Sequence, residues 1–285
     1  MMKHYDFILI FDATNCNPNG DPLTENRPRM DSDGYGMVSA GCMKHKIRLA
    51  AHMLSGKPVY VLNDPYDGCY CLKERLNRVY PDVMADNKKS HAEASRKLAE
   101  IMQREFYDCR LFGYTAPEGG FSQRACVTIE PAVSADPIIV NPWQITKCIG
   151  LEIPKNDKGE DRSNGRSSDM MGSYHYVQYG LYVAHGSISA ELAEKYGVTD
   201  EDIELLKKSI IHMFDFDPAE ARPAGSLTVR NLIWFEQDGH EVNPAKIRKA
   251  VHVEKIDAAS TPKCYEDYRV TVANIEGVHI TELVK

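Results

Sequence analysis

The sequence predicts an α+β fold in which helices pack on a ferredoxin-like antiparallel sheet with large insertions. Three observations support this prediction. An apolar strand opens the chain, a helical segment follows a long polar loop, and a second helix lies between apolar strands near the other end. That order is compatible with a βαββαβ sheet. With 285 residues, 43% of them hydrophobic, the chain is long enough for a single core domain over 1–285.

The first elements have strong local signals. Tyr5–Phe11 is rich in β-branched and aromatic residues, which predicts a buried strand. Residues 13–38 hold many Asn, Pro and Gly and predict a loop, whose unusual length indicates a functional segment. Ser39 then predicts the N-cap of a helix that runs to about Leu54.

The middle of the chain predicts two helices and a run of strands. Residues 58–62 form a short strand candidate. Residues 68–80 and 90–106 have the apolar spacing of helices. The pattern turns to β over 122–140, and 143–153 is a further strand candidate.

A polar segment interrupts the strands that follow. Residues 154–173 lack an apolar period and predict a mobile projection or a hairpin tip. Residues 174–187 form a long aromatic β segment, and a helix near 189–196 follows. Thr199 and Asp202 then open a second helix, which extends to about residue 214, in a capping-box arrangement.

The closing segments supply the remaining elements. Residues 227–235 predict a buried strand, and 244–252 predict a helix. A last strand is expected over 264–274.

Composition limits the classes of function. The formal net charge is −7, with the acidity concentrated in 188–222, which argues against a protein whose whole surface coats nucleic acid but allows a basic groove. No run of 18 apolar residues and no secretory leader occur, so we expect no membrane span and a cytoplasmic location. The eight Cys lack metal-ligand spacing and predict small buried residues, so neither a metal site nor a cofactor is expected.

Basic residues cluster in the first loop and the first helix. Lys44 and Arg48 are four residues apart and are predicted to share one exposed helix face. Pro28 stiffens the space between two arginines, and the helix N-terminus favours an anion. The cluster predicts a ligand with phosphates, although a solvated surface is the alternative. Its members are Arg27, Arg29, Lys44, Lys46 and Arg48.

Other polar segments allow more than one interpretation. Residues 17–22, NPNGDP, are either consecutive turns or a backbone nest near phosphate. Residues 162–175 either form a surface loop or bring Arg166 to a phosphate and wedge Met170 or Met171 between unstacked bases. Four loop carboxylates are candidates for Mg²⁺ binding or for a catalytic base, although no His lies beside them in sequence. They are Asp12, Asp21, Asp31 and Asp33.

An ordered set of motifs spans nearly the whole chain. In the first half, a strand ends in Asp12, and the motif N-P-N-G-D-P follows at 17–22. Next come N-x-P-R-x-D at 26–31, G-x-G-hydrophobic at 34–38 and K-x-K-hydrophobic-R at 44–48. Later motifs are R-x-F-G, D-P-I, Y-G-L-Y-x-x-H-G and hydrophobic-F-E, at 110–113, 136–138, 179–186 and 234–236. Together they resemble the Cas-seven family, the repeated backbone subunit of the CRISPR surveillance complex Cascade, and are most similar to its subtype I-C form.

The resemblance implies an RRM-like core of the RAMP superfamily with a thumb-like β-hairpin, expected over 143–175, and an RNA-binding loop over 13–38. It implies a non-enzymatic subunit whose copies assemble head to tail along CRISPR guide RNA. The guide is then presented to a target DNA strand, alongside other Cascade subunits, in antiviral defence. Arg124 matches the family's mid-chain arginine and joins the expected RNA-binding residues.

The chain departs from the family pattern at three places. Ser173 and Tyr174 stand where related chains have two basic residues, Ala125 replaces a glycine, and Gln237 replaces a histidine. The main rival function is that of related type III subunits, which cut RNA with a metal-dependent loop aspartate. Asp31 or Asp33 would be that residue here.

Overall fold

The computed structural model describes residues 3–62, 68–82, 91–116, 121–146, 171–239 and 242–284. Runs of strands and of helices follow one another along the chain. The strands are β1 (His4–Cys16), β2 (Gly20–Asp21), β3 (Arg27–Pro28), β4 (Tyr35–Val38), β5 (Tyr114–Ala116), β6 (Phe121–Gln123), β7 (Val127–Ile129), β8 (Ala132–Pro137), β9 (Val140–Thr146), β10 (Met171–Ile188), β11 (Leu227–Gln237), β12 (Val251–Lys255), β13 (Tyr268–Val272) and β14 (His279–Val284). The α-helices are α1 (Ala40–Ser55), α2 (Leu72–Val79), α3 (His91–Glu105), α4 (Tyr107–Phe112), α5 (Ala190–Lys195), α6 (Asp200–Ile211) and α7 (Pro244–Arg248).

An antiparallel sheet organises the fold. Its strands follow the order β14–β11–β1–β10–β8–β4, and β7 and β9 also pair with β10. The inner order β11–β1–β10–β8 is the one that a βαββαβ arrangement produces when strands are taken in chain order. The α+β prediction with a large antiparallel sheet is therefore confirmed.

Both faces of the central strand β1 are buried. Phe7, Leu9 and Phe11 face one core, and Ile8 and Ile10 face another. This period-two alternation of two apolar sets follows from strand geometry. Burial on both faces explains why the predicted strand has almost no polar position.

The larger core lies between the sheet and the helices α1 and α6. Met43 and Ile47 of α1 and Ile203 and Leu206 of α6 are buried there, at the apolar spacing that the sequence shows. Ser39 caps α1 through its Oγ, which accepts a bond from the Cys42 N–H at 3.2 Å. The capping box of α6 is also present, so both predicted helix starts are confirmed.

A second lobe rests on a buried carboxylate. Asp108 of α4 is fully buried, and its oxygens accept the N–H groups of Tyr60 and Val61 at 2.7 and 3.1 Å. These bonds occupy donors that a strand would give to a neighbour, so 58–62 is not a strand and that prediction is wrong. Helices α2 and α3 of this lobe confirm the helices predicted from their apolar spacing.

The C-terminal part corrects two predictions. The helix predicted over 244–252 ends at Arg248, and β12 begins at Val251. A one-turn helix over Tyr265–Asp267 precedes β13, and β14, rather than β13, is the last strand. β14 pairs with β11 at the edge of the central sheet, where its side chains are largely exposed, so its sequence lacks a clear apolar pattern.

The predicted loop over 13–38 is more ordered than expected. β1 continues to Cys16, and Tyr35–Val38 forms β4, which pairs with β8. Between them, β2 and β3 form a small hairpin. The Asn and Gly residues of this segment therefore shape a folded excursion from the sheet.

Two further observations concern composition. In the described part of the chain, the helices are too short or too polar to cross a membrane. The described cysteines are free thiols. Cys16, Cys69, Cys109 and Cys126 are buried, as predicted, but Cys42 is only partly buried and Cys71 and Cys264 are exposed, so the prediction is wrong for those three.

Gly186 of β10 has no room for a side chain. A Cβ there would lie 2.1 Å from Cζ of Phe7, whose ring stacks on Trp234 at 5.3 Å between centroids. We expect Gly186→Ala to lower the free energy of unfolding by about 1–3 kcal/mol, because overpacking displaces this stack. Chemical denaturation measures the change.

Gly172→Ala is the matched control, since it lies on the same strand and its Cβ would meet nothing within 4 Å. Equal unfolding free energies for the two variants would contradict the packing of Phe7 against Gly186.

Candidate nucleic-acid interface

Hydrogen bonds fix the shape of the excursion between β1 and α1. The Asn17 side chain donates to the Asn26 carbonyl at 2.7 Å, and Asn19 Oδ1 accepts from the Ser39 N–H at 2.9 Å. Asp21 caps a one-turn helix by accepting from the Leu23 N–H at 3.1 Å. These polar side chains of 17–22 therefore bond within the segment, which agrees with the structural interpretation of this motif.

Strands β9 and β10 form the arms of an antiparallel hairpin beside this excursion. Pro142 pairs with His175, and Trp143 pairs with Tyr174. Because side chains alternate along a strand, Pro142 and His175 lie on one face of the hairpin and Trp143 and Tyr174 on the other. The connection between the arms, 147–170, lies outside the described residues.

A groove of about 910 Å³ separates the excursion from this hairpin. Its lining includes Arg27, Pro28 and Arg29 from the excursion and Val140, Pro142 and His175 from the hairpin. Two segments that are far apart in sequence thus share one concave surface, and the groove brings two of the predicted cations to it.

The two groove arginines have weak carboxylate partners. The Arg27 side chain is 55% exposed and its Nη2 lies 3.9 Å from Glu25, while Arg29 Nη2 lies 3.6 Å from Asp21. Arg29 Nε is shielded from solvent and has no hydrogen-bond partner in the described part of the chain. Exposed ion pairs of this kind contribute about 0–1 kcal/mol, so a phosphate can readily replace the carboxylates.

Lys44 lies outside the groove. Its ammonium sits 5.5 Å from the centroid of the Phe112 ring, and no ion pair with a described carboxylate is present. Burial, and secondarily the charge of Arg48, lower the pKa of Lys44. The charge of Lys44 is therefore balanced only by its contact with the aromatic ring and by solvent.

Lys46 and Arg48 are buried, which corrects the prediction that Arg48 shares an exposed face with Lys44. Lys46 Nζ lies 2.5 Å from Asp217, and Arg48 Nε lies 2.8 Å from Asp108. A buried charge needs such a partner because leaving water is costly. The free protein thus uses both cations to hold α1 against neighbouring segments.

Asp217 lies in the chain between α6 and β11 and also contacts Arg222 at 3.2 Å. Burial raises its pKa, but the bond from Lys46 and the charge of Arg222 outweigh burial, so the pKa lies below its ordinary value. Sequence reasoning missed Asp217 and Asp108 as partners. Asp217 lies in a strongly acidic segment, and nothing local in the sequence singles it out.

The remaining candidates fall in different places. Arg124 is exposed between β6 and β7 and is not part of the groove lining. Arg166 and Met170 lie outside the described residues. Met171 begins β10, and only its backbone is described.

Three of the four candidate carboxylates, those of Asp12, Asp21 and Asp31, accept hydrogen bonds from neighbouring groups, and among the described residues Asp33 contributes only its backbone N–H. Asp12 is buried and accepts bonds from Arg230 at 2.9 Å and Tyr179 at 3.3 Å, and burial raises its pKa against the opposing effect of Arg230. Asp31 Oδ1 accepts the N–H groups of Asp33 and Tyr35 at 3.0 and 2.9 Å, which forms the turn before β4. Within the described ranges, no group of three or more His, Cys, Asp or Glu residues has the spacing of a metal site.

The hairpin also carries an aromatic face that the sequence pattern only hinted at. The Trp143 ring lies 6.4 Å from Tyr174 and 5.8 Å from Tyr176 between centroids, and Trp143 is 54% exposed. The aromatic residues that alternate with other residues in 174–187 are the sequence pattern from which this aromatic face could have been predicted.

Comparisons with known proteins agree with the motifs. The family model described as CRISPR-associated protein Cas7 matches residues 3–273. A relative from Haloferax volcanii (strain DS2), named CRISPR-associated protein Cas7, is 41% identical over 48 residues, which is 16% of this chain and only 14% of the relative's own length.

Solved structures show the likeness of fold. A chain of a "CRISPR RNA-guided surveillance complex, pre-nicking" is 11% identical with a TM-score of 0.54, over 86% of this chain and 81% of that one. A chain of a "CRISPR RNA-guided surveillance complex" is 12% identical with a TM-score of 0.49, over 90% and 78% respectively. The first likeness supports the α+β fold.

The two cations of α1 should differ in their effect on stability. We expect Arg48→Met to lower the free energy of unfolding by about 3–5 kcal/mol, because it leaves the Asp108 carboxylate buried without its cation. Lys44→Met, one turn away on the same helix, is the matched control. It should cost about 1 kcal/mol or less, since it loses only a contact with an aromatic ring. Thermal and urea denaturation measure both, and equal losses would contradict the buried Arg48–Asp108 pair.

Proposed function

Because the chain belongs to the Cas7 family of CRISPR-associated proteins, we propose that it is a guide-RNA-binding backbone subunit of a CRISPR RNA-guided surveillance complex. The family model covers residues 3–273, which is nearly the whole chain. The observation that carries the proposal is the groove between the excursion and the hairpin, because it combines exposed Arg27 and partly buried Arg29 with a defined concave shape.

Arg27 and Arg29 are the proposed phosphate contacts. A guanidinium donates two parallel hydrogen bonds to a phosphate, and the carboxylates nearest to the two side chains in the free protein, Glu25 and Asp21, lie 3.9 and 3.6 Å away. Lys44 is proposed as a further contact, since no described carboxylate pairs with it. Lys46 and Arg48 instead hold α1 against the neighbouring segments in this proposal.

The hairpin of β9 and β10 is the proposed thumb. In this proposal it separates successive stretches of guide, and Met170 or Met171 at its end interrupts base stacking. Arg124 and Arg166 are proposed to contact the guide backbone beyond the groove. Backbone contacts of this kind carry no sequence information, which suits a protein that must accept every guide.

Assembly follows from the same proposal. Copies of the chain bind consecutive stretches of one guide RNA, together with other subunits of the complex, and leave bases free to pair with target DNA. Base pairing then reads the sequence, while the protein reads backbone and shape. Similarity to the subtype I-C form and a cytoplasmic location are parts of this proposal.

The subunit is proposed to bind RNA without cutting it. Asp31 already accepts two backbone N–H groups, which supports a role in shaping the turn before β4.

Removing the groove arginines should weaken RNA binding for every sequence alike. We expect Arg27→Ala/Arg29→Ala to reduce the magnitude of the log–log salt slope by about 1.4, since each phosphate contact with single-stranded RNA contributes roughly 0.7. Fluorescence anisotropy with RNAs of unrelated sequence, at several salt concentrations, measures it.

Arg104→Ala/Arg269→Ala removes the same charge from exposed positions on α3 and β13 and serves as the control. An equal fall in slope for both double variants would mean that net charge, rather than the groove, binds RNA.

The protein, assembled on guide RNA, should leave a complementary RNA intact in Mg²⁺. Denaturing gel electrophoresis of the labelled target over several hours checks this, with Asp31→Ala as the comparison. Regularly spaced cuts by the parent assembly that disappear in Asp31→Ala would favour the nuclease instead.

A further inference from the structure

His175 is an unexplained polar group in the wall of the groove. Its residue is 9% exposed, and its Nδ1 atom is shielded from solvent without a hydrogen-bond partner in the described part of the chain. The ring nevertheless borders the same groove as Arg27 and Arg29.

An unpartnered buried nitrogen is costly. Burying a polar atom without a partner costs about 1–3 kcal/mol, so such an atom in a folded protein calls for an explanation. Its immediate neighbours on this wall, Val140 and Pro142, have apolar side chains, and proline has no N–H to offer. The orientation of an imidazole about χ2 is soft, so the ring can turn a nitrogen toward a group that enters the groove.

The charged residues that line the groove, the cations Arg27 and Arg29 and the carboxylates Asp21 and Glu25, narrow the choice of the group that His175 contacts. Arg27 and Arg29 are the stronger contacts for phosphate, because they carry fixed charge and several donors. A neutral imidazole has one donor and one acceptor, which matches a hydroxyl group, itself both donor and acceptor. A hydroxyl also brings no charge into a wall formed by apolar side chains.

We infer that His175 hydrogen-bonds a ribose 2′-hydroxyl of the strand that lies in the groove and so makes the protein prefer RNA to DNA. This inference rests on the proposed function, since it requires RNA in the groove. Along a nucleic-acid strand the sugar adjoins the phosphates, and His175 lines the same groove as the two arginines. The 2′-hydroxyl is the group by which a protein distinguishes RNA from DNA at a given site.

The test compares three labelled strands of one U-rich sequence, each about ten nucleotides long, within the usual range for single-strand sites. They are RNA, DNA with uracil bases, and 2′-O-methyl RNA, which lacks the hydroxyl donor. The parent protein should bind RNA more tightly than the other two. Anisotropy at fixed salt measures the three dissociation constants.

His175→Phe should weaken RNA binding roughly three- to tenfold, the loss expected for one hydrogen bond, and leave DNA binding unchanged. His175→Asn keeps a hydrogen-bonding group near the Nδ1 position and should restore part of the RNA preference. His279→Phe, on the exposed strand β14, is the control and should behave as the parent.

Three results would overturn the inference while RNA binding itself stands. They are equal affinity of the parent for RNA and the uracil-containing DNA, an equal loss of RNA and DNA binding in His175→Phe, and no loss in that variant. The first of these results is measured on the parent protein alone, so it tests the inference even if His175→Phe misfolds. Failure of the parent to bind any strand would overturn the proposed function and this inference together.

Discussion

One uninterrupted strand determines the geometry of the candidate interface. The C-terminal part of β10 lies in the core, where it pairs with β1, β7 and β8, and its N-terminal part pairs with β9 in the projecting hairpin. The hairpin therefore continues the central sheet rather than hanging from a flexible joint. Since β1 leads directly into the excursion that carries Arg27 and Arg29, both walls of the groove originate from adjacent core strands.

The partners of the basic residues separate structural from binding roles. Lys46 and Arg48 are buried against Asp217 and Asp108. Removing Arg48 would leave the buried Asp108 carboxylate without its cation, whereas partly exposed Asp217 would keep Arg222 after the loss of Lys46, so the Arg48–Asp108 pair is the costlier one to open for a ligand. The pair of Arg27 with Glu25 is exposed and the pair of Arg29 with Asp21 is partly exposed, and both are longer, at 3.9 and 3.6 Å. Because water screens such pairs strongly, these arginines can exchange their partners for phosphates at little cost. Differences in burial thus separate structural from binding roles among five basic residues that the sequence grouped into one cluster.

The sequence predicted what local patterns encode. The apolar run of β1, the Ser39 cap and the capping box at Thr199 each act over a few residues, and each is present in the structure. Predictions failed where contacts with residues distant in sequence determine the local structure or the burial of a side chain. Residues 58–62 look like a strand, yet the carboxylate of Asp108 takes their N–H groups. Arg48 has the spacing of an exposed residue, but the same carboxylate lies against it. The His175 wall was also unpredictable, because the groove forms only when β9 and β10 meet the excursion.

The central claim is that guide RNA lies in the groove between the excursion and the hairpin. Photo-crosslinking with RNA that carries 4-thiouridine at several positions, followed by mass spectrometry of the linked peptides, tests it most directly. We expect crosslinks within 21–30 and on the two hairpin arms, 140–146 and 171–177. Crosslinks confined to the helices α5 and α6, on the acidic part of the chain, would contradict the account.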